Sequence, residues 1–319
     1  MFPDNCDTQY PRKQFVERNE LDRYGFSWVL AERSGLKVPP KSFASWAHGW
    51  SWGRDVGVDI IFTDHFVAST PKDLPIVVAI SQHRELLVDA GFKNVRVGGL
   101  PFAYVSESVQ KRKKDSLLFI LQHSARDLVQ QEIAFVEYMG GLVSDFSEVY
   151  CCLYDQESEV KNPALIKMCR QLGIGIVRGA RGDDMNSLYR LRAIYDHFDF
   201  VVTNSLGSHV VYASYCSCRV SVLERFYMDW NVGTELYESP RLATLTDINN
   251  VKRWYPHFFV DHPSSANNAK EWAAGEIGAA SLLSNEEIHD VLGWSFLSKI
   301  KAVMRGGRRR LLRTVSKVT

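Results

Sequence analysis

Long apolar runs are missing from this 319-residue sequence. No window approaches the roughly 20 apolar residues that cross a bilayer. The amino terminus, with Asp4, Asp7, Arg12 and Lys13 so early, lacks the apolar stretch of a signal peptide, so a cytosolic chain is expected. The cysteines Cys6, Cys151, Cys152, Cys169, Cys216 and Cys218 form no CxxC pair and have no matching histidine spacing. That argues against a zinc site or a disulfide framework and for buried, reduced thiols packing as small hydrophobes. Internal repeats and low-complexity segments are absent as well, which leaves solenoids and disordered arrays aside.

What is present is an ordinary globular composition, 45% apolar and 24% charged, long enough for two domains of roughly 100 to 200 residues. A net charge of +1 conceals a polarity: Ser295–Thr319 holds eight Lys or Arg and no Asp or Glu, so removing those eight leaves −7 on the preceding 294 residues. The tail from Trp294 interleaves its basic residues with Phe296, Leu297, Ile300, Val303, Met304, Leu311, Leu312 and Val315. Such a pattern suits a helix lying in an anionic membrane surface. A nucleic-acid contact has the same signature, but the acidic body and the lack of any RNA or DNA module argue against it.

The break in the chain is "SVQKRKKDS", residues 108–116, with four consecutive basic residues and one apolar one. It reads as a linker between a domain over 1–107 and another over 117–285, followed by basic amphipathic helices over 286–319; a solvated loop inside one domain is the alternative. After it, "SLLFILQ", "EVYCCLY", "IGIVRG", "FDFVVTN" and "RVSVLE" alternate with amphipathic stretches at 127–138, 164–172, 186–195 and 207–215. Short β-rich runs alternating with helical patterns predict βα units and a doubly wound parallel sheet. Before the linker, "VDIIFTD", "PIVVAIS" and "NVRVGG", with a helical turn at 84–90, predict a second, smaller α/β domain.

Ligands of open α/β sheets gather beyond the carboxyl ends of the strands, where helix N-termini point N–H groups and a positive dipole outward. "TNSLGSH", residues 203–209, falls at such an end. Ser205 and Ser208 can cap the helix and offer hydroxyls, and Gly207 lets the backbone approach an anion without a Cβ. His209 as imidazolium can donate to a phosphate oxygen. Punctuation between a strand and a helix is the competing reading. His123 and Ser124 in "FILQHSARD" follow the first strand of the second domain, and Arg178 and Arg181 in "VRGARGDD" follow another, where a guanidinium can brace a diphosphate or a sugar carboxylate. Asp183 and Asp184 read as first-turn acids rather than as metal ligands. In the first domain "SWAHGWSWGRD" combines Trp46, Trp50 and Trp52, which can stack on sugars, with His48, a candidate general base; Asp64 and His65 in "FTDHF" compete with it. An aromatic mini-core under a loop is the alternative there.

The run "VVTNSLGSHVVYASYCSCRVSV", with "FILQHS" upstream and "VRGARGDDMNSLYRLRAIYDHFDF" between them, resembles bacterial surface-polysaccharide glycosyltransferases of the GT-B type, including capsule-type and sialyltransferase-like enzymes. The resemblance covers most of the second domain. It implies two Rossmann-like domains with C-terminal helices and a donor nucleotide on the second. It also implies donor-phosphate roles for Ser205, Ser208 and His209, a ribose contact for Glu224, and a reaction needing neither metal nor cofactor. "VGGLPFAYV", residues 97–105, resembles the hinge-side loop of such enzymes, or is a plain turn. The expected activity is transfer of a sugar from a nucleotide-sugar to a glycan or lipid-linked glycan, capsule or lipopolysaccharide, on the inner face of the cytoplasmic membrane. Another nucleotide-dependent transferase, or a non-catalytic glycan-binding or assembly protein on the same architecture, competes with it.

Overall fold

A computed structural model describes residues 9–17, 20–51, 70–109, 111–121, 130–153, 163–228, 247–295 and 300. The fold is α/β with two parallel sheets, one of five strands and one of three. The chain divides into two compact units, one formed by Met1–Lys13 with Val105–Ala274 and the other by Gln14–Tyr104 with Gly275–Thr319.

In the first unit the strands, numbered from four because three precede them in the chain, are β4 (Lys113–Ile120), β5 (Glu148–Leu153), β6 (Gly175–Arg178), β7 (Phe198–Thr203) and β8 (Arg219–Val222). Their order is β6-β5-β4-β7-β8. The crossover helices are α3 (Gln130–Gly141), α4 (Pro163–Gln171), α5 (Ser187–His197) and α6 (Ser208–Tyr215). Strand side chains alternate between the faces of a sheet. Leu117, Phe119, Phe200 and Val202 accordingly share one core with Phe135, Val136 and Met139 of α3 and Leu165 and Cys169 of α4. Leu118 and Val201, from the opposite phase, are fully buried too. Burial on both faces is why these strands read as unbroken apolar runs instead of alternating ones. Five cysteines lie buried in this unit, none of them in a disulfide, and burial raises the Cys218 thiol to about 11. Cys6 lies outside the described residues.

The supposed linker is partly sheet: Lys113–Ser116 opens β4, with Lys113 paired to Glu148 at 2.7 Å. Its charges are a strand entering from solvent at the amino end of the sheet. The amino-terminal segment also belongs here. Tyr10 stacks on Tyr189, and its carbonyl accepts from Arg190 at 2.7 Å. Asn186 donates to the Pro11 carbonyl at 2.7 Å, while the Lys13 N–H donates to Asp184 at 3.0 Å. Asp183 and Asp184 precede α5 instead of forming its first turn, since Asn186 is its N-cap. Asp184 is ion-paired to Arg190 and accepts from the Asn186 N–H; Asp183 is ion-paired to Arg181 and lies 3.8 Å from Arg12.

The second unit holds β1 (Ser45–Trp46), β2 (Ile76–Val78) and β3 (Val95–Val97) in that order, with α1 (Phe26–Arg33) before them and α2 (Ser81–Asp89) between β2 and β3. The strand expected at "VDIIFTD" lies outside the described residues. Chain from beyond the five-stranded sheet closes this unit. The Leu100 N–H donates to the Ile277 carbonyl at 2.8 Å, Leu283 N–H to the Tyr104 hydroxyl at 2.7 Å, and Phe43 N–H to the Leu292 carbonyl at 3.0 Å. Gly99 at φ +69° and Gly278 at φ +73° meet there, and a Cβ on Gly278 would stand 2.1 Å from the Ala79 carbonyl oxygen. Helix α7 (Ile248–Trp254) follows β8, α8 (Lys270–Glu276) runs to the unit boundary, and α9 (Asn285–Leu292) is closed by a capping box between Ser284 and Glu287. So α9, the first of the expected C-terminal helices over 286–319, packs in the second unit. Beyond Ser295 only Ile300 is described, so the basic tail lies outside the described residues.

Candidate functional site

A sheet ordered β6-β5-β4-β7-β8 is built outward in both directions from β4. The connection from β4 leads to β5 on one side, while β7 lies on the other. The carboxyl ends of β4 and β7 flank the point where the order reverses, which is the usual ligand position of open α/β sheets. Ile120 and Thr203 are register partners at that point. The turn that leaves β7 there is Asn204–Gly207.

The turn is held from below. Met228 N–H donates to the Asn204 carbonyl at 2.7 Å, Leu223 N–H to the Thr203 carbonyl at 3.3 Å, and Ser205 N–H to Thr203 Oγ1 at 3.3 Å. Asn204, Ser205 and Leu206 are buried. Gly207 is the N-cap of α6, with extended backbone at φ −176° and no side-chain cap on the helix. Ser205 is therefore not the cap that the sequence suggested. Its hydroxyl is 1% exposed as a residue and has no hydrogen-bond partner among the described residues. An unsatisfied buried hydroxyl is costly, and such groups in native proteins are few. Here one sits three residues ahead of a helix start with positive dipole character.

His209, on the first turn of α6, turns Nε2 inward to Thr203 Oγ1 at 3.0 Å and the Ser205 carbonyl at 3.2 Å. Both His209 and Ser208 are partly exposed. Glu224 lies at the carboxyl end of β8, one strand beyond, and is ion-paired to Lys252 at 2.6 Å with the two side chains 54% and 39% exposed. Arg178 ends β6, on the opposite flank. Three strand spacings separate it from β7, roughly 14 Å. Ser205, Gly207, Ser208 and His209 are thus brought together, with Glu224 beside them, and Arg178 is not. His123 and Ser124, which follow β4 in the sequence, lie outside the described residues, as does Asp64.

In the second unit "SWAHGW" is largely core. Trp46 lies in β1, 1% exposed, and donates Nε1–H to the Gly99 carbonyl at 2.8 Å. Trp50, 7% exposed, donates to Glu276 at 2.6 Å. Neither offers a ring face to a sugar, which corrects the stacking expectation; Trp52 is outside the described residues. His48, half-buried, has Phe26 and Tyr24 rings at 6.2 and 6.5 Å. Burial, helped by the Arg23 charge, lowers its pKa to about 4. At neutral pH it is uncharged, with the basicity of a carboxylate.

Sequence reasoning missed Thr203 and the amino-terminal segment. Thr203 carries only a weak signal, a β-branched hydroxyl closing a strand six residues before a histidine. Among the described residues no group of three or more His, Cys, Asp or Glu converges as a metal site, and no helix is long and apolar enough to cross a membrane. No protein-family model matches the sequence, and no curated protein matches it significantly.

Proposed function

We propose that this chain is a GT-B-type glycosyltransferase that moves a sugar from a nucleotide-activated donor to a growing cell-surface glycan, capsule or lipopolysaccharide. The observation that carries the reading is the Asn204–Ser208 turn. It lies at the reversal of strand order and leads into a helix without a side-chain cap, and it buries a hydroxyl with no partner among the described residues. Phosphate is the ligand such a start favours, because backbone N–H groups and the dipole both attract negative charge.

In the reaction an acceptor hydroxyl attacks the anomeric carbon, the bond from that carbon to the donor phosphate breaks, and the nucleotide leaves with the electron pair. The dipole of α6, Ser205, Ser208 and His209 stabilise the charge that develops on the leaving phosphate. Glu224 accepts from the ribose hydroxyls. A base takes the acceptor proton, with His48 and Asp64 as its candidates. The basic tail holds the enzyme on the inner face of the cytoplasmic membrane, beside a lipid-linked acceptor.

The test is thermal unfolding in CMP, UDP, GDP and TDP. One class is expected to raise the transition, by the equivalent of about 2.7 kcal/mol at a hundredfold excess over Kd. Ser208→Ala should lose the shift while keeping the unliganded transition; His209→Ala should lose the shift too, from a lower starting transition, because its contacts to buried Thr203 and Ser205 go with it. No shift with any of the four would overturn the transferase reading and favour a glycan-binding protein.

A further inference from the structure

Two peptide groups link helix α3 to the turn that leaves β7. Gln131 of α3 donates from Nε2 to the Tyr227 carbonyl at 2.9 Å. A carbonyl oxygen only accepts, so the nitrogen end of the amide must face it. The same peptide group carries the Met228 N–H, which donates to the Asn204 carbonyl at 2.7 Å. The Asn204 carbonyl in turn shares its peptide group with the Ser205 N–H, which donates to Thr203 Oγ1 at 3.3 Å. A trans peptide is planar, with C=O and N–H pointing in opposite directions, so each group passes a hydrogen bond across itself. Bonds in such a series polarise one another and strengthen together. Beside this polar line the same segment packs on α3. The Phe226 ring lies 5.2 Å from Phe135 and 5.5 Å from Tyr138, and Arg225 covers the Tyr138 ring at 3.8 Å.

We infer that Gln131 is a positioning residue for the candidate site: through the Tyr227–Met228 peptide it fixes the Asn204–Ser205 peptide, and with it the backbone of the turn that receives the ligand. This rests on reading the turn as the donor-phosphate site. Helix α3 follows β4 and the turn follows β7, the two strands that flank the reversal of order, so the series ties one side of that point to the other. Gln131 acts through the backbone and not by contact with the ligand. Its side chain is exposed, and the rings of Phe135, Tyr138 and Phe226 hold the segment to α3 without it. Loss of the Gln131 bond therefore disturbs the setting of the turn more than the stability of the unit.

The experiment compares the full chain with Gln131→Met, which keeps the length and loses the donor, and with Gln131→Glu, which sets an oxygen where the donor was. Amide hydrogen exchange reports local opening, and residue-resolved mass spectrometry reads it at Met228 and Ser205. Both amides of the unliganded protein should exchange about fivefold faster in the two variants, the worth of one hydrogen bond, with thermal transitions near the parental one. Affinity for whichever of CMP, UDP, GDP or TDP binds the parent should fall by the same factor. Parental exchange at both amides overturns the inference whatever the affinity, since Gln131 would then act on the ligand directly or not at all. Faster exchange at Met228 alone, with Ser205 and affinity unchanged, also overturns it, because the bond would be structural only. So does unfolding of both variants, which would make Gln131 a stability element. If none of the four nucleotides binds but both amides exchange faster, the transferase reading falls and the positioning of the turn by Gln131 stands.

Discussion

Ser205 sets stability against binding at a single residue. Its buried hydroxyl lacks a partner among the described residues, so Ser205→Ala relieves a desolvation cost of about 1–3 kcal/mol. Calorimetry should find the unliganded Ser205→Ala protein at least as stable as the parent, and titration should find nucleotide bound more weakly. A variant that is less stable and binds normally would make Ser205 purely structural. His48 predicts a pH effect of known sign. Its folded pKa of about 4 lies below the ordinary 6.5, so as pH falls the unfolded chain takes the proton first. The neutral ring's contribution is complete above about 6.5, is lost between 6.5 and about 4, and changes no further below that. Burial lowers His197 and His257 in the same sense, so the three share this acid slope. Thermal transitions of parent and His48→Gln across that window should diverge, with the variant losing less on acidification; parallel curves would contradict the burial of His48. In turnover, a base of this strength gives kcat/KM an acid limb near 4. Comparing His48→Ala with Asp64→Asn separates them, since the true base should cost about 10²- to 10⁴-fold.

The elements most legible in the sequence are those buried on both faces. "SLLFILQ", "EVYCCLY" and "FDFVVTN" became β4, β5 and β7 because a parallel strand between helix layers admits no polar alternation, and the amphipathic stretches between them became the crossover helices. That pattern also located the start of α6, and with it the candidate site. Strand β1 was hidden because it is only Ser45–Trp46, inside a Trp- and Gly-rich run that reads as a binding loop. Its parallel partner β2 and the Trp46 bond to Gly99 lie far along the chain, where no local period reaches. At the start of α6, Gly207 offers a test specific to that element. Its extended backbone, at φ −176°, suits any residue, so Gly207→Ala adds no left-handed strain. Chemical denaturation should therefore find stability within about 1 kcal/mol of the parent, the entropy gained by restricting the unfolded chain included. Nucleotide binding should nonetheless weaken at least tenfold if the phosphate is drawn against the backbone of this turn, because a methyl at Gly207 would crowd it. Equal affinity would mean that the phosphate does not approach this turn, and the strand-to-helix punctuation would suffice to explain it.

Each unit is completed by chain that is remote in sequence. Tyr10–Lys13 fold with the five-stranded sheet through Asp184, Asn186 and Arg190, more than 170 residues away, and Gly275–Leu292 fold with the three-stranded sheet. No periodicity in the sequence announces either return, which is why domain boundaries drawn at one charged stretch differ from the units observed. The same organisation decides where the chain can be cut to test its tail. Helix α9 is anchored by its capping box, by Arg96 to Asp290 at 2.9 Å and by the Phe43 bond to Leu292, and it ends on Gly293 at φ +73°. A chain ending at Gly293 retains all of these. It loses eight basic residues with no acidic ones, and the remaining body carries −7. Near an anionic surface each basic residue contributes about 1 kcal/mol, falling off within a Debye length, while the acidic body by itself is repelled. The full chain should therefore sediment with vesicles containing phosphatidylglycerol but not with phosphatidylcholine vesicles, and should release as salt is raised. The 1–293 chain should stay in solution with both, unfold at the parental temperature, and keep the nucleotide shift. If it binds the acidic vesicles as the full chain does, the membrane contact lies in the body; if its transition collapses, the tail is a structural part of the second unit and the peripheral-membrane proposal loses its support.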